Sequence, residues 1–98
     1  MNELAAPPLT KDNPGAVELV RAWIVNNGLQ CTLNIGGFGK DELSTWGVLL
    51  SDVARHVANA HHELNGSDAG ENLKAISAQF NLEMETLTAP DGGENPKA

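Results

Sequence analysis

Apolar residues first recur at helical spacing. Val17, Val20, Trp23 and Ile24 repeat every three or four residues, with Ala16 beside them. Asn13 is a good capping residue, and Pro14 suits the first helical position because its missing N–H has no partner there. Glu18 and Arg21 stand three apart on the polar side, and Gly28 follows Asn26-Asn27 where a left-handed helix end is wanted. The pattern predicts a helix from about residue 13 to residue 27. The period then falls to two. Leu29, Cys31, Leu33 and Ile35 alternate with Gln30, Thr32 and Asn34, which predicts a strand with one apolar face.

A lone strand leaves its backbone groups unpaired, so this one needs a partner. Gly36-Gly37-Phe38-Gly39-Lys40-Asp41 reads as a loop, and Thr45 to Leu50 holds Thr, Trp and Val suited to a second strand. Antiparallel pairing across the glycine loop is the simplest solution. Trp46, Leu49, Leu50, Val53 and Val57 also fit one helical face, so a single long helix from near Glu42 is the alternative. The hairpin is preferred because Ser51 is a good N-cap and Asp52 would favour a positive first turn.

Next comes a helix from about Asp52 to Leu64, with Val53, Val57, Ala60 and Leu64 inward and Gly66 closing it. Ser67 can cap a further helix, in which Leu73, Ile76, Phe80, Met84 and Leu87 repeat at three or four. The order is α-β-β-α-α, an α+β domain in which a β-hairpin packs against three helices around one core. Residues 1–12, with Pro7-Pro8, read as an extended arm, residues 13–87 as a single domain, and residues 88–98 as a disordered tail rich in turn formers.

Composition narrows the function. The chain has 98 residues and a formal net charge of −7 from 13 acidic and 6 basic side chains, so nucleic acid and anionic membranes are poor partners. The basic residues are scattered and form no stripe. A basic protein remains a possible partner, although negative charge also simply favours solubility. Four aromatics and no Tyr leave the core mainly aliphatic, and self-association, as a homodimer, would be a natural way to add buried apolar area. One cysteine excludes an internal disulfide framework and fits a reducing compartment. The opening residues lack the basic-then-apolar pattern of a secretory signal. No apolar run approaches the roughly 20 residues of a spanning helix, which leaves the cytoplasm as the expected location.

Chemistry-bearing residues are few. His56, His61 and His62 fall in one expected helix, but spacings of five and one do not converge on a metal, so neither a metal nor a cofactor is implied. Asp52, Arg55, His56 and Asn59 share a helix side and form a candidate polar ligand site; a solvated face is the simpler account. Gly36-Gly37-Phe38-Gly39-Lys40 evokes a phosphate loop but lacks its spacing, since Asn34 and Asp41 stand where Gly and Ser or Thr are needed. Phe38 at the tip is a candidate contact for a partner. Cys31 lies on the apolar strand face, where a cysteine acts as a small hydrophobe. Trp23 and Trp46 fall on apolar periodicities and read as core. No catalytic set emerges.

The stretch Trp46-Gly47-Val48-Leu49-Leu50-Ser51-Asp52-Val53-Ala54-Arg55-His56-Val57-Ala58-Asn59-Ala60 resembles a segment of a family of short bacterial proteins of unknown function. Gly28 to Gly36 and the opening Asn2-Glu3-Leu4 are similar to the same family. The resemblance covers most of residues 1–87 and implies a bacterial origin, but brings no activity, substrate or catalytic residue. The expectation is therefore a non-catalytic interaction module that self-associates or serves a larger assembly. The rival is a small-molecule or metal-binding protein built on Asp52, Arg55, His56 and Asn59.

Overall fold

Two asparagines organise the first third of the chain. Asn26 and Asn27 both adopt left-handed backbone, with φ of 53° and 67°, as a two-residue type I′ turn requires. Asparagine tolerates this region better than other side-chain-bearing residues. The turn joins β1 (Val20–Val25) to β2 (Gly28–Leu33) in an antiparallel hairpin. Its register sets Val20 opposite Leu33, Ala22 opposite Cys31 and Ile24 opposite Leu29, so one face is apolar across both strands. Beyond β1, Asn34 extends the pairing by donating its backbone N–H to Leu19 O and its side-chain amide to Glu18 O.

The computed structural model describes residues 3–86. The described residues fall into two compact units, divided after Asn34. The first holds the hairpin and an N-terminal arm that makes one 3₁₀ turn at Pro8–Thr10. The second begins with the glycine loop and a 3₁₀ turn at Gly39–Asp41, followed by α1 (Glu42–Asn65) and α2 (Ala69–Thr86).

The α+β class thus holds, with one antiparallel hairpin and helices, but the hairpin lies earlier in the chain than expected. No helix forms over residues 13–27. Val20, Ala22 and Ile24 alternate there and supply the apolar partners that Leu29, Cys31 and Leu33 need. The strand expected over 45–50 is instead the start of α1, so the long-helix alternative is the one observed. Ser51 does not cap a helix; it lies inside α1 and returns its hydroxyl to Val48 O at 2.8 Å.

Each helix end is satisfied locally. Gly66 takes the left-handed position after α1, with φ of 79°, and its N–H donates to His62 O at 2.8 Å. Asp68, rather than Ser67, caps α2: its carboxylate accepts the Glu71 N–H at 2.9 Å. Asn72 then ties the two helices by donating to Ala58 O at 3.0 Å and to Ser67 Oγ at 2.8 Å. The disordered tail expected over 88–98, and Leu87 of the expected third helical pattern, lie outside the described residues.

Ala54 and Ala58 form the α1 face against α2, with Leu73 and Ile76 half-buried on the other side. Small residues there let the two backbones approach. Ala58, 2 % exposed, is the one buried hydrophobic among the described residues. Packing of the helix pair is therefore thin.

Candidate functional site

The glycine loop closes on an anion of its own. Glu42, the first residue of α1, folds its carboxylate back to accept the Gly36 N–H at 2.9 Å from both oxygens. It also accepts the Phe38 N–H at 3.4 Å and the Trp46 indole N–H at 2.9 Å, one helical turn on. These bonds, that of Gly36 foremost and that of Trp46 next, hold the Glu42 carboxyl below the usual carboxylate range. Gly36 makes the approach with φ of 100°, a conformation open to glycine. The amides that a phosphate would occupy in a nucleotide-binding loop are thus engaged by a side chain. Phe38, 37 % exposed, sets its ring edge against Trp46, with centroids 6.1 Å apart and planes at 83°. Sequence reasoning placed Phe38 in the loop but missed Glu42, whose signal was an acidic residue six positions after the turn glycine.

Asp52, Arg55, His56 and Asn59 do share one side of α1, and all four are exposed. Arg55 pairs with Asp52 at 3.0 Å and contacts Ser51 Oγ at 3.5 Å. The four are brought to one helix face, with an ion pair of the exposed kind that contributes little stability. His61 is exposed, and His62 sets Nδ1 2.8 Å from Ser67 O, which makes this nitrogen the donor and ties the ring to the interhelical turn. Among the described residues, no three His, Cys, Asp or Glu side chains gather as a metal site. Cys31 is free and half-buried beside Ala22. Trp23 and Trp46 are half-buried rather than core.

The hairpin unit holds an open cleft of about 850 Å³ between the N-terminal arm and β1, lined by Leu4, Pro7, Ala16, Val17 and Trp23. Its charged rim is paired internally: Arg21 donates to Glu18 Oε2 at 2.7 Å and also pairs with Glu3.

The largest chemical feature of α1 is apolar. Leu50, Val53, Val57 and Leu64 are 48 %, 55 %, 42 % and 81 % exposed. With Trp46 they form a stripe about a quarter-turn around the helix from the alanines that meet α2. The charged residues of this part of α1, Asp52, Arg55 and Glu63, lie off the stripe.

Fold and surface together define a small α+β protein with an acidic exterior and an apolar helix face that its own second helix does not cover. The chain belongs to the DUF5076 family, a domain of unknown function, whose pattern matches residues 3–88. Among solved structures it is similar to a candidate pyruvate dehydrogenase from the photosynthetic bacterium Rhodopseudomonas palustrus CGA009. Identity is 26 %, the TM-score is 0.63, and the match covers 86 % of this chain and 94 % of that one. None of the curated proteins compared with it matches. No helix among the described residues is long and apolar enough to cross a membrane.

Proposed function

We propose that this chain is a non-catalytic interaction module of the cytoplasm that works by self-association. One observation carries the reading: the α1 stripe is left exposed while α2 packs on a separate face of small residues. An apolar face of this length on a monomer marks an interaction surface. Burying a half-exposed Leu or Val recovers about half of the roughly 1.5–3 kcal/mol that full burial brings, so several such residues can stabilise an assembly. The occupant argued here is a second copy. From Leu50 to Leu64 the stripe itself carries no charged residue, which keeps most of the −7 of each chain off the contact, whereas a basic partner would call for an acidic one.

The test is molar mass by light scattering over a hundredfold concentration range. A species of twice the chain mass, dissociating on dilution, supports the reading; the chain mass alone at every concentration overturns it. The name of the Rhodopseudomonas protein motivates one control. Turnover of pyruvate by the purified chain would replace this reading with a catalytic one.

A further inference from the structure

We propose that the cleft beside β1 docks an extended peptide, which adds to the hairpin as a third strand and carries apolar and basic side chains. This surface lies within the hairpin unit alone and is separate from the α1 stripe. The register sets its position. Val25 and Gly28 close the two-residue turn as a hydrogen-bonded pair, and such pairs alternate along an antiparallel ladder. Trp23–Gln30 and Arg21–Thr32 are therefore bonded pairs, and the bond from Asn34 N–H to Leu19 O continues the alternation. Val20, Ala22 and Ile24 fall between them, so their N–H and C=O groups point away from β2. Among the described residues, nothing hydrogen-bonds to those groups.

The cleft runs along this free edge. Val20, Arg21, Ala22 and Trp23 all line it, although alternate side chains of a strand point to opposite faces. A wall made by consecutive residues is the edge of the strand, not one of its faces. Leu4 and Pro7 of the arm form the other side. At about 850 Å³ the cleft has the size of sites that enclose a drug-sized molecule, and hence a few residues of extended chain. Two features select the occupant. Main-chain donors and acceptors in a row call for another main chain. The charged residues of the lining are Glu3, Glu18 and Arg21, so a negative excess remains even with these three paired. A basic side chain on the peptide meets that excess, and the apolar lining takes its neighbours. A second copy would bring the same acidic excess to this edge, which favours a different chain.

The experiment uses the full chain, observed by NMR, and three short peptides with blocked ends. The first alternates valine and lysine, the second alternates valine and glutamate, and the third is the first with each backbone amide N-methylated. The valine–lysine peptide is expected to bind and to slow hydrogen exchange at the Val20 and Ala22 amides. N-methylation keeps the side chains but removes the strand's donors, and should weaken binding about tenfold or more. Equal binding of the N-methylated peptide overturns strand addition, and equal binding of the glutamate peptide overturns the basic character of the partner. No binding of the valine–lysine peptide up to about 1 mM, or protection confined to α1, overturns the site. Ala22→Pro deletes one edge donor while sparing the bonds to β2, and should weaken binding about tenfold with Trp23 and Gln30 still paired. A paired hairpin that binds as before counts against the proposal. Should that variant fail to fold, Glu3→Gln with Glu18→Gln decides, because it leaves Arg21 as the charge of the cleft. Preference should then pass from the lysine to the glutamate peptide, and an unchanged preference overturns the charge argument.

Discussion

Ala58 is the position at which the packing of the helix pair can be measured. It is 2 % exposed, sits beside the carbonyl that Asn72 holds, and faces the half-buried side chains of α2. Ala58→Gly removes one methyl group that is almost wholly shielded from water, about 0.8 kcal/mol of burial. It also places glycine inside a helix, which costs about 1 kcal/mol relative to alanine. The sum is about 2 kcal/mol. The control is Ala78→Gly, at an exposed site inside α2, where only the helix term of about 1 kcal/mol applies. Urea unfolding followed by far-ultraviolet circular dichroism, at one fixed protein concentration because self-association shifts apparent stability, compares the two directly. Ala58→Gly should lower the midpoint by about twice as much as Ala78→Gly. Equal losses at the two sites would refute the claim that α1 and α2 pack through the alanine face.

Acidification should release the glycine loop. Glu42 has a folded pKa below the unfolded one, so its contribution is present above the usual carboxylate range and is lost as pH falls through the lower folded value. Tryptophan fluorescence should therefore show a transition with its midpoint below about 4.3, absent in Glu42→Gln; a midpoint above that value contradicts the bonding described. At the hairpin turn, Asn27→Ala must hold φ of 67° without asparagine's tolerance and should cost about 1 kcal/mol in thermal melts, whereas Asn27→Gly should be neutral or stabilising. Asp68→Ala deletes the α2 cap and should lose about 0.5–2 kcal/mol, read from urea midpoints; an unchanged midpoint would mean the Glu71 N–H bond contributes nothing.

The hairpin shows where a single sequence is ambiguous. Val17, Val20, Trp23 and Ile24 satisfy a helical period, while Val20, Ala22 and Ile24 within the same stretch satisfy a strand. The flanking signal is no better at deciding, because a left-handed Asn pair followed by Gly serves equally to end a helix or to turn a hairpin. What decides is non-local. The alternating face of β2 needs apolar partners in register, and a two-residue turn delivers them from the upstream side. The downstream side cannot compete, since Trp46 is drawn into helix by its bond to Glu42 one turn earlier. β2, the end of α1 at Gly66 and the course of α2 were legible because propensity, capping and pattern agree there.

The same contrast holds for the surface. Spacing alone placed Asp52, Arg55, His56 and Asn59 on one helix side, and they are there. It could not reveal that the loop amides face Glu42, because that depends on the carboxylate folding back over a turn. Nor could it separate the two apolar faces of α1 on a strand reading of residues 45–50, for the stripe then loses Trp46 and Leu50. Once the helix runs unbroken from Glu42, the arithmetic changes. The alanines at 54 and 58 go to α2, and the larger residues at 50, 53, 57 and 64 are left a quarter-turn away. A helix whose purpose was only to cover α2 would carry its bulk on the face that meets α2. Here the bulk is on the other face, so cover for α2 does not account for the larger side chains of α1.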